Sequence, residues 1–186
     1  MTFRDKTINV IFKVATSSKR IRTPLTPIGA TFFFLITALF VVLSLQVDRI
    51  LGIPKILSEP LNIYLSVFVL LIGVLICLWT VILFVKAKGT PVPINPPTQI
   101  VTTGPYAYCR NPMLTSVFLM LFGLALMYRS FSLFFIFTPL YILLHVLELK
   151  FIEEPELAKR FGKEYIEYKK RTPMFIPRRK VQKEIL

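Results

Sequence analysis

Residues 61–85 read LNIYLSVFVLLIGVLICLWTVILFV and contain no charged side chain. As a helix rising about 1.5 Å per residue, a run of this length exceeds the roughly 30 Å hydrocarbon core of a bilayer. The stretch therefore predicts a transmembrane helix that crosses with some tilt. It decides the fold class, because the other long apolar runs in the chain repeat the same pattern.

Three further runs without charge are residues 28–45, 112–128 and 131–147. Only Arg129 and Ser130 separate the last two runs, so these are predicted to form an antiparallel helical hairpin. The tail that follows has apolar residues at near-helical spacing, which indicates an amphipathic helix. The predicted fold is all-α: a polytopic membrane helical bundle of about four transmembrane helices with a C-terminal amphipathic helix.

Composition excludes several classes of protein. Charged residues make up only 18% of the 186 residues, against about 25% in soluble domains. The net charge of +13 raises the question of nucleic-acid binding, but the cations flank the apolar runs, as the positive-inside rule expects. Cys77 and Cys109 are predicted to be free thiols, and no cysteine–histidine cluster has metal-ligand spacing. The expected partner is the lipid bilayer; no nucleic acid, metal or obligate protein partner is expected.

The chain divides into three predicted segments. Residues 1–27 form a basic arm, either a short interfacial helix or a disordered tail. Pro24 and Pro27 are expected to break the chain before the first span. Residues 28–85 hold two transmembrane helices, the first a retained anchor because no small-residue cleavage site follows it. Residues 86–186 hold the hairpin and every motif with chemical interest.

Orientation follows from the distribution of cations. The arm before the first span carries six Lys or Arg residues and the tail from Lys150 carries eleven. The loop at residues 46–60 carries two and the hairpin tip one. Four spans place both basic ends on one side, so both termini and the loop at residues 86–111 are predicted to be cytoplasmic.

The third span opens with Arg110, Asn111 and Pro112. Asparagine is a strong N-cap and proline is favoured at the first helical position, which is a sufficient structural explanation for both. A helix N-terminus beside an arginine fork is also an anion site that would suit the carboxylate of a methionine-like ligand. The sequence leaves both interpretations open.

Two adjacent carboxylates, Glu153 and Glu154, precede Pro155 just beyond the fourth span. They are explained structurally if they begin the next helix, because acids favour a first turn. They are explained functionally if they bind a ligand, because a carboxylate accepts from vicinal hydroxyls or from an ammonium group. S-Adenosylmethionine offers a ribose diol, an α-amine and a sulfonium.

His145 is the only histidine in the chain and precedes Glu148 by one helical turn. A packing role near the membrane end is the plain interpretation. The functional alternative is that an ionisable group inside a membrane segment marks a site, here with a group able to titrate near neutral pH.

Together these stretches resemble a known family. Residues 104–113, GPYAYCRNPM, are similar to the first motif of the isoprenylcysteine carboxyl methyltransferases. Residues 153–157, EEPEL, with Phe161, Gly162, Tyr165, Tyr168 and residues 173–177, PMFIP, are similar to the second. The order of loop, motif, hairpin, paired glutamates and terminal helix also matches, over about residues 86–178.

The resemblance implies an integral membrane methyltransferase that uses S-adenosylmethionine and releases S-adenosylhomocysteine, with residues 86–186 as its core. It implies a cytoplasmic-facing cofactor pocket and a lipophilic acceptor that enters from the lipid between helices. The implied cofactor contacts are Tyr106, Arg110, Asn111, Pro112, Met113, Glu153 and Glu154. The implied catalytic candidates are Glu153, Glu154 and His145.

The chain departs from the most familiar form of the family, which has His-Pro, then Tyr, then Gly after the arginine. Here Asn111, Leu114 and Ser116 stand at those three positions. The leading prediction is O-methylation of an isoprenylcysteine-like carboxylate. The alternatives are N-methylation of a phospholipid or other lipid amine and, in another class, a non-catalytic membrane binding protein. A transporter is disfavoured because the spans carry no charge.

Overall fold

The structure is a computed structural model, and it describes residues 2–90, 92 and 95–176. This part of the chain is all-helical and contains no strand. The helices are α1 (Phe3–Ala15), α2 (Lys19–Leu51), α3 (Leu61–Lys86), α4 (Pro112–Tyr128), α5 (Thr138–Glu148), α6 (Glu154–Phe161) and α7 (Lys163–Arg171). A 3₁₀ turn covers Gly104–Ala107, and two π-helical turns cover Leu133–Phe137 and Leu149–Glu153. Pro177, the last residue of the predicted second motif, lies outside the described residues.

The predicted membrane bundle is confirmed. Three helical segments are long and apolar enough to cross a membrane: Lys19–Leu51, Leu61–Lys86 and Leu133–Phe161. The fourth apolar helix, α4, has 17 residues, or roughly 25 Å at 1.5 Å per residue. Large apolar side chains lie exposed along α2 and α3, as expected for surfaces that face lipid.

The prediction that Pro24 and Pro27 break the chain is wrong, because both lie inside α2. Each proline removes one donor near the start of a helix of 33 residues. The carbonyls of Arg20 and Thr23, four residues before the two prolines, lose their hydrogen-bond donors. Both residues are exposed. Water or headgroups can satisfy them, so the helix continues.

Of the two interpretations of the basic arm, the structure shows the helix. Thr2 and Asp5 form a reciprocal capping box at the start of α1. The helix packs against α6 rather than standing apart. The Lys159 ammonium donates to Asn9 Oδ1 at 2.6 Å and lies 4.4 Å from the Phe12 ring centroid.

The fourth span continues further than predicted. Helical structure runs without a break from Leu133 to Phe161, whereas residue 147 was the predicted end. The π-helical turn at Leu149–Glu153 lies just before Pro155, which lacks the N–H that would bond to the carbonyl of Phe151. Arg4 Nε donates to that carbonyl at 3.0 Å. The helix therefore extends past the apolar part of the span and includes the charged residues that follow it.

Small residues bring α3 and α4 close together. A Cβ on Gly73 would lie 2.8 Å from Met120 Cγ, and a Cβ on Gly123 would lie 2.7 Å from Leu70 Cγ. Within lipid, no hydrophobic driving force brings helices together. Helices there associate through close packing of their backbones at small residues. The buried core beside this pair consists of Val117, Phe118, Leu121 and Tyr141.

Candidate functional site

A cavity lies at the end of the bundle where the loop after α3, the 3₁₀ turn and α6 meet. Its polar lining consists of Thr90, Gln99, Tyr106, Arg110, Asn111, Glu148, Glu153, Glu156, Arg160, Tyr165 and Tyr168. Its apolar lining includes Ile11, Phe84, Pro96, Pro97, Leu157 and Phe161. Segments that are distant in sequence thus form one enclosure with apolar walls and several carboxylates.

The 3₁₀ turn positions Tyr106 in the wall of this cavity. The Tyr168 hydroxyl donates to the Tyr106 carbonyl at 2.7 Å, and the Tyr106 ring meets Phe84 edge-on with centroids 5.5 Å apart. Gly104 has a φ of +59°, and a Cβ there would lie 2.9 Å from Leu83 Cδ1. The backbone conformation therefore favours glycine, and a larger residue would displace the Leu83 side chain of α3.

Burial raises the pKa of the Tyr106, Tyr165 and Tyr168 phenols and of the Cys109 thiol. Burial disfavours the charged form of each group. These side chains remain neutral at physiological pH and act as hydrogen-bond donors or packing groups. The three phenols line the cavity, and none of them is suited to be a base there.

Arg110 is held by the C-terminal segment rather than left with a free fork of donors. Its Nη1 donates to the carbonyls of Lys169 at 3.0 Å and Thr172 at 2.5 Å. Its Nη2 forms a buried ion pair with Glu154. Its Nε is buried and has no partner among the described residues. Two N–H donors of the guanidinium, the one on Nε and the second on Nη2, therefore have no partner in the described part of the chain.

Asn111 stands at the N-cap position of α4, yet its side chain does not cap that helix. Its Nδ2 donates to the Met174 carbonyl at 3.4 Å. The backbone N–H groups of Arg110 and Asn111 donate to the carbonyls of Pro173 and Met174 at 2.8 and 3.2 Å. The first motif is therefore fastened to the second by backbone pairing.

The two adjacent glutamates have different environments. Glu154 is 4% exposed and pairs with Arg110 and with the Lys169 ammonium at 2.5 Å. Glu153 lines the cavity, and within the described part of the chain it forms neither an ion pair nor a hydrogen bond. Glu154 is therefore a structural ion-pair partner, whereas Glu153 is available to a ligand.

Glu148, Glu156 and Arg160 also line the cavity, and sequence reasoning did not place them there as a group. Arg160 pairs with Glu156 Oε2 at 3.3 Å, while Glu156 Oε1 is buried without a partner among the described residues. The π-helical turn brings residues five apart, such as Glu148 and Glu153, towards the same side. In the sequence, the five-residue spacing of Glu148 and Glu153, followed by Pro155, was the signal that could have predicted this grouping.

His145 lies outside the lining of this cavity. Its ring packs against Tyr141 with centroids 4.5 Å apart, and against Phe33 and Phe118 at 5.9 and 6.2 Å. No hydrogen bond to Glu148 is present in the part that the structure describes. The packing interpretation of this histidine matches its surroundings.

The structure thus brings together Tyr106, Arg110, Asn111 and Glu153 of the predicted site residues. Pro112 is buried at the start of α4, and neither it nor Met113 lines the cavity. Of the positions that depart from the familiar family form, Leu114 packs against the core, and the Ser116 hydroxyl donates to the Met113 carbonyl at 2.5 Å.

A family model described as phospholipid methyltransferase matches residues 61–164, which is more than half of the chain. The chain belongs to the phospholipid methyltransferase family. The match includes α3, the loop after α3 that lines the cavity, the hairpin and the paired glutamates. It begins after α1 and α2. Membership confirms that the chain is of a membrane methyltransferase family, as the motif resemblance implied; members generally use S-adenosylmethionine.

One relative of this chain has a different description. The nickel-cobalt-cadmium resistance protein NccN of Alcaligenes xylosoxydans xylosoxydans is 36% identical over 81 residues. The aligned part covers 44% of this chain and 37% of that protein. No solved structure matches the chain.

The cavity fits the methyl donor that the family implies. S-Adenosylmethionine carries a carboxylate, an ammonium group and a ribose diol. Arg110, whose Nε lacks a partner among the described residues, would serve the first, and Glu153 and Glu156 would accept from the other two. Phe84 and Leu157 provide apolar surface for a base.

Proposed function

We propose that this chain transfers a methyl group from S-adenosylmethionine to a lipophilic acceptor that enters from the bilayer. One observation carries the proposal: Glu153, without an ion pair in the described part of the chain, faces the same apolar-walled cavity as Arg110 and Tyr106. A carboxylate left without a partner inside such an enclosure is costly unless it is protonated or a ligand pairs with it.

The bound cofactor supplies an activated methyl group on its sulfonium. The chain then has to bind the donor, align the acceptor for in-line displacement and exclude water. Glu153 and Glu156 would hold donor groups of the cofactor, and Arg110 with Asn111 would lie towards its carboxylate. Pro112 and Met113 would act indirectly, by fixing the start of α4. Glu154 would act by holding Arg110 in place.

The leading acceptor is an isoprenylcysteine-like carboxylate, on the strength of the motif resemblance. A carboxylate acceptor needs no general base, so alignment and desolvation are sufficient for its methylation. Other apolar residues of the lining, such as Ile11, Pro96 and Pro97, would suit the hydrophobic part of such an acceptor.

The second candidate is N-methylation of a phospholipid amine, and a specific observation favours it. Glu148 and Glu153 both line the cavity without an ion pair among the described residues. Unpaired carboxylates attract an ammonium group and repel a carboxylate. An amine must lose a proton before attack. In this reaction Glu153 would be the base, and Glu148 and Glu156 would hold the cofactor. His145 does not line the cavity, so it would have to take the proton from outside it.

The basic ends and the cavity would lie on the cytoplasmic side. The N-terminal helix α1, the loop before α4 and helices α6 and α7 all meet at the same end of the bundle. That end carries the excess of Lys and Arg, which the positive-inside rule assigns to the cytoplasm.

The test is calorimetric titration of the purified, detergent-solubilised protein with S-adenosylhomocysteine. Saturable binding is expected for the wild type, with a loss of roughly tenfold or more in Glu153→Gln and a smaller loss in Asn111→Ala. Glu164→Gln, an exposed position on α7, is the matched control and should bind normally. Folded protein that does not bind would leave the non-catalytic membrane binding protein as the better proposal.

Radiolabelled methyl transfer then separates the two acceptors. Farnesylcysteine and phosphatidylethanolamine would be presented in the same detergent with the same labelled cofactor. Label in a base-labile ester would support the carboxylate acceptor, whereas label in a base-stable phospholipid amine would support the second candidate.

A further inference from the structure

A second cavity adjoins the first at the same end of the bundle. It lies where the junction between α1 and α2 meets α6, and its lining consists of Ala15, Thr16, Arg22, Pro97, Thr98, Arg160 and Phe161. Pro97, Arg160 and Phe161 line both cavities. Ala15, Thr16 and Arg22 precede the stretch that matches the family, whereas the other lining residues lie within it.

Two guanidinium groups face the second cavity with unused donors. Arg22 Nη1 donates to the Ala15 carbonyl at 3.1 Å, and Arg160 Nη2 pairs with Glu156. The Nε of each arginine is buried and lacks a hydrogen-bond partner within the described ranges. Buried donors without acceptors are costly. Each arginine therefore retains one donor that an additional acceptor oxygen would satisfy, and both arginines line the same cavity.

The start of α2 adds to this positive charge. Its first turn contains Lys19, Arg20 and Arg22 and no acid, and the Ser18 side chain makes no capping hydrogen bond. Cations at a helix N-terminus oppose the helix dipole, whose positive end lies there. The arrangement is unfavourable for the isolated chain and becomes favourable when an anion is bound.

We propose that Arg22 and Arg160 bind the phosphate group of a membrane phospholipid. A phosphodiester offers two oxygens for charge-assisted hydrogen bonds from two guanidinium groups. The cavity lies at the end of the apolar spans, which is the level of lipid phosphates in a bilayer. Ile21 and Ile28 on α2 are exposed and offer apolar surface to acyl chains.

The site adjoins the proposed active cavity and shares Arg160 with it, so Arg22, which lines the second cavity and not the first, is the residue that separates phospholipid binding from methyl transfer. Two other sources of an oxyanion have to be distinguished from a lipid: free inorganic phosphate and the carboxylate of the cofactor. Each makes a different prediction for the same set of variants.

The experiment measures binding of dihexanoylphosphatidylglycerol to the full chain in detergent by microscale thermophoresis. The phosphate-free dihexanoylglycerol and inorganic phosphate are the comparison ligands. Arg22→Gln and Arg160→Gln are each expected to weaken binding of the phospholipid by roughly tenfold. Arg20→Gln, an exposed cation on the same turn as Arg22, is the matched control and should bind within twofold of the wild type. Arg22→Lys keeps the charge but loses the fork, so intermediate binding is expected if Arg22→Gln fails to fold.

Three results would overturn the proposal. Dihexanoylglycerol binding as tightly as the phospholipid would show that the phosphate is not recognised. Inorganic phosphate binding as tightly would identify a free-phosphate site. S-Adenosylhomocysteine affinity falling in Arg22→Gln as much as phospholipid affinity would assign the arginines to the cofactor. Normal cofactor binding with lost phospholipid binding is the supporting result.

Discussion

Glu154 and Arg110 form a buried ion pair that joins the second sequence motif to the start of α4. Their side chains are 4% and 9% exposed, and Lys169 approaches the second oxygen of the carboxylate at 2.5 Å. The same guanidinium also donates to the carbonyls of Lys169 and Thr172. The pair therefore fixes the wall of the cavity, whereas the neighbouring Glu153 faces its interior.

Glu154→Gln should destabilise the protein, because it leaves the Arg110 charge buried without its partner. Breaking a buried pair in this way costs about 3–5 kcal/mol. The measurement is thermal unfolding in detergent, followed by intrinsic fluorescence. The adjacent Glu153→Gln is the matched comparison and should unfold near the wild-type temperature while losing affinity for S-adenosylhomocysteine. Equal unfolding temperatures for the two variants would contradict the assignment of roles.

Gly123→Val should also destabilise the bundle. A Cβ at this position would lie 2.7 Å from Leu70 Cγ and 3.2 Å from its backbone N, so α3 and α4 would have to separate. Overpacking of this kind costs about 1–3 kcal/mol. Thermal unfolding in detergent measures the loss. Ala38→Val, on the exposed side of α2, adds the same volume to a lipid-facing position and should leave stability unchanged.

The sequence predicted the apolar spans well, because long uncharged runs have few alternatives in a membrane protein. It did not predict the continuation of the last span to Phe161. Charge after residue 147 suggested an end, whereas a helix can carry polar residues past the apolar core. The pairing of Arg110 with Glu154 is a contact across 44 residues, and local spacing holds no information on it. The docking of α1 depends likewise on Lys159, far away in the chain.

Lys159→Met should loosen α1 from α6. The ammonium group donates to Asn9 Oδ1 and lies over the Phe12 ring, and exposed interactions of this kind contribute about 0.5–1 kcal/mol each. Hydrogen exchange of the α1 amides, measured by mass spectrometry, should accelerate several-fold while α3 is unaffected. Lys163→Met, an exposed lysine on α7, is the control. Unchanged exchange in α1 would mean that other contacts, such as Arg4 with the Phe151 carbonyl, are sufficient.

His145→Phe should leave cofactor affinity within about twofold of the wild type, because the imidazole packs among Phe33, Phe118 and Tyr141 and does not line the cavity. A phenyl ring fills a similar volume, so unfolding should also shift little. Titration with S-adenosylhomocysteine and thermal unfolding test both statements. Methyl transfer to the acceptor that takes up label in the radiolabelling experiment tests whether His145 has a catalytic role. Turnover that falls by about 100-fold or more, a loss typical for a general base, with affinity and stability intact would make His145 the base and contradict a packing role.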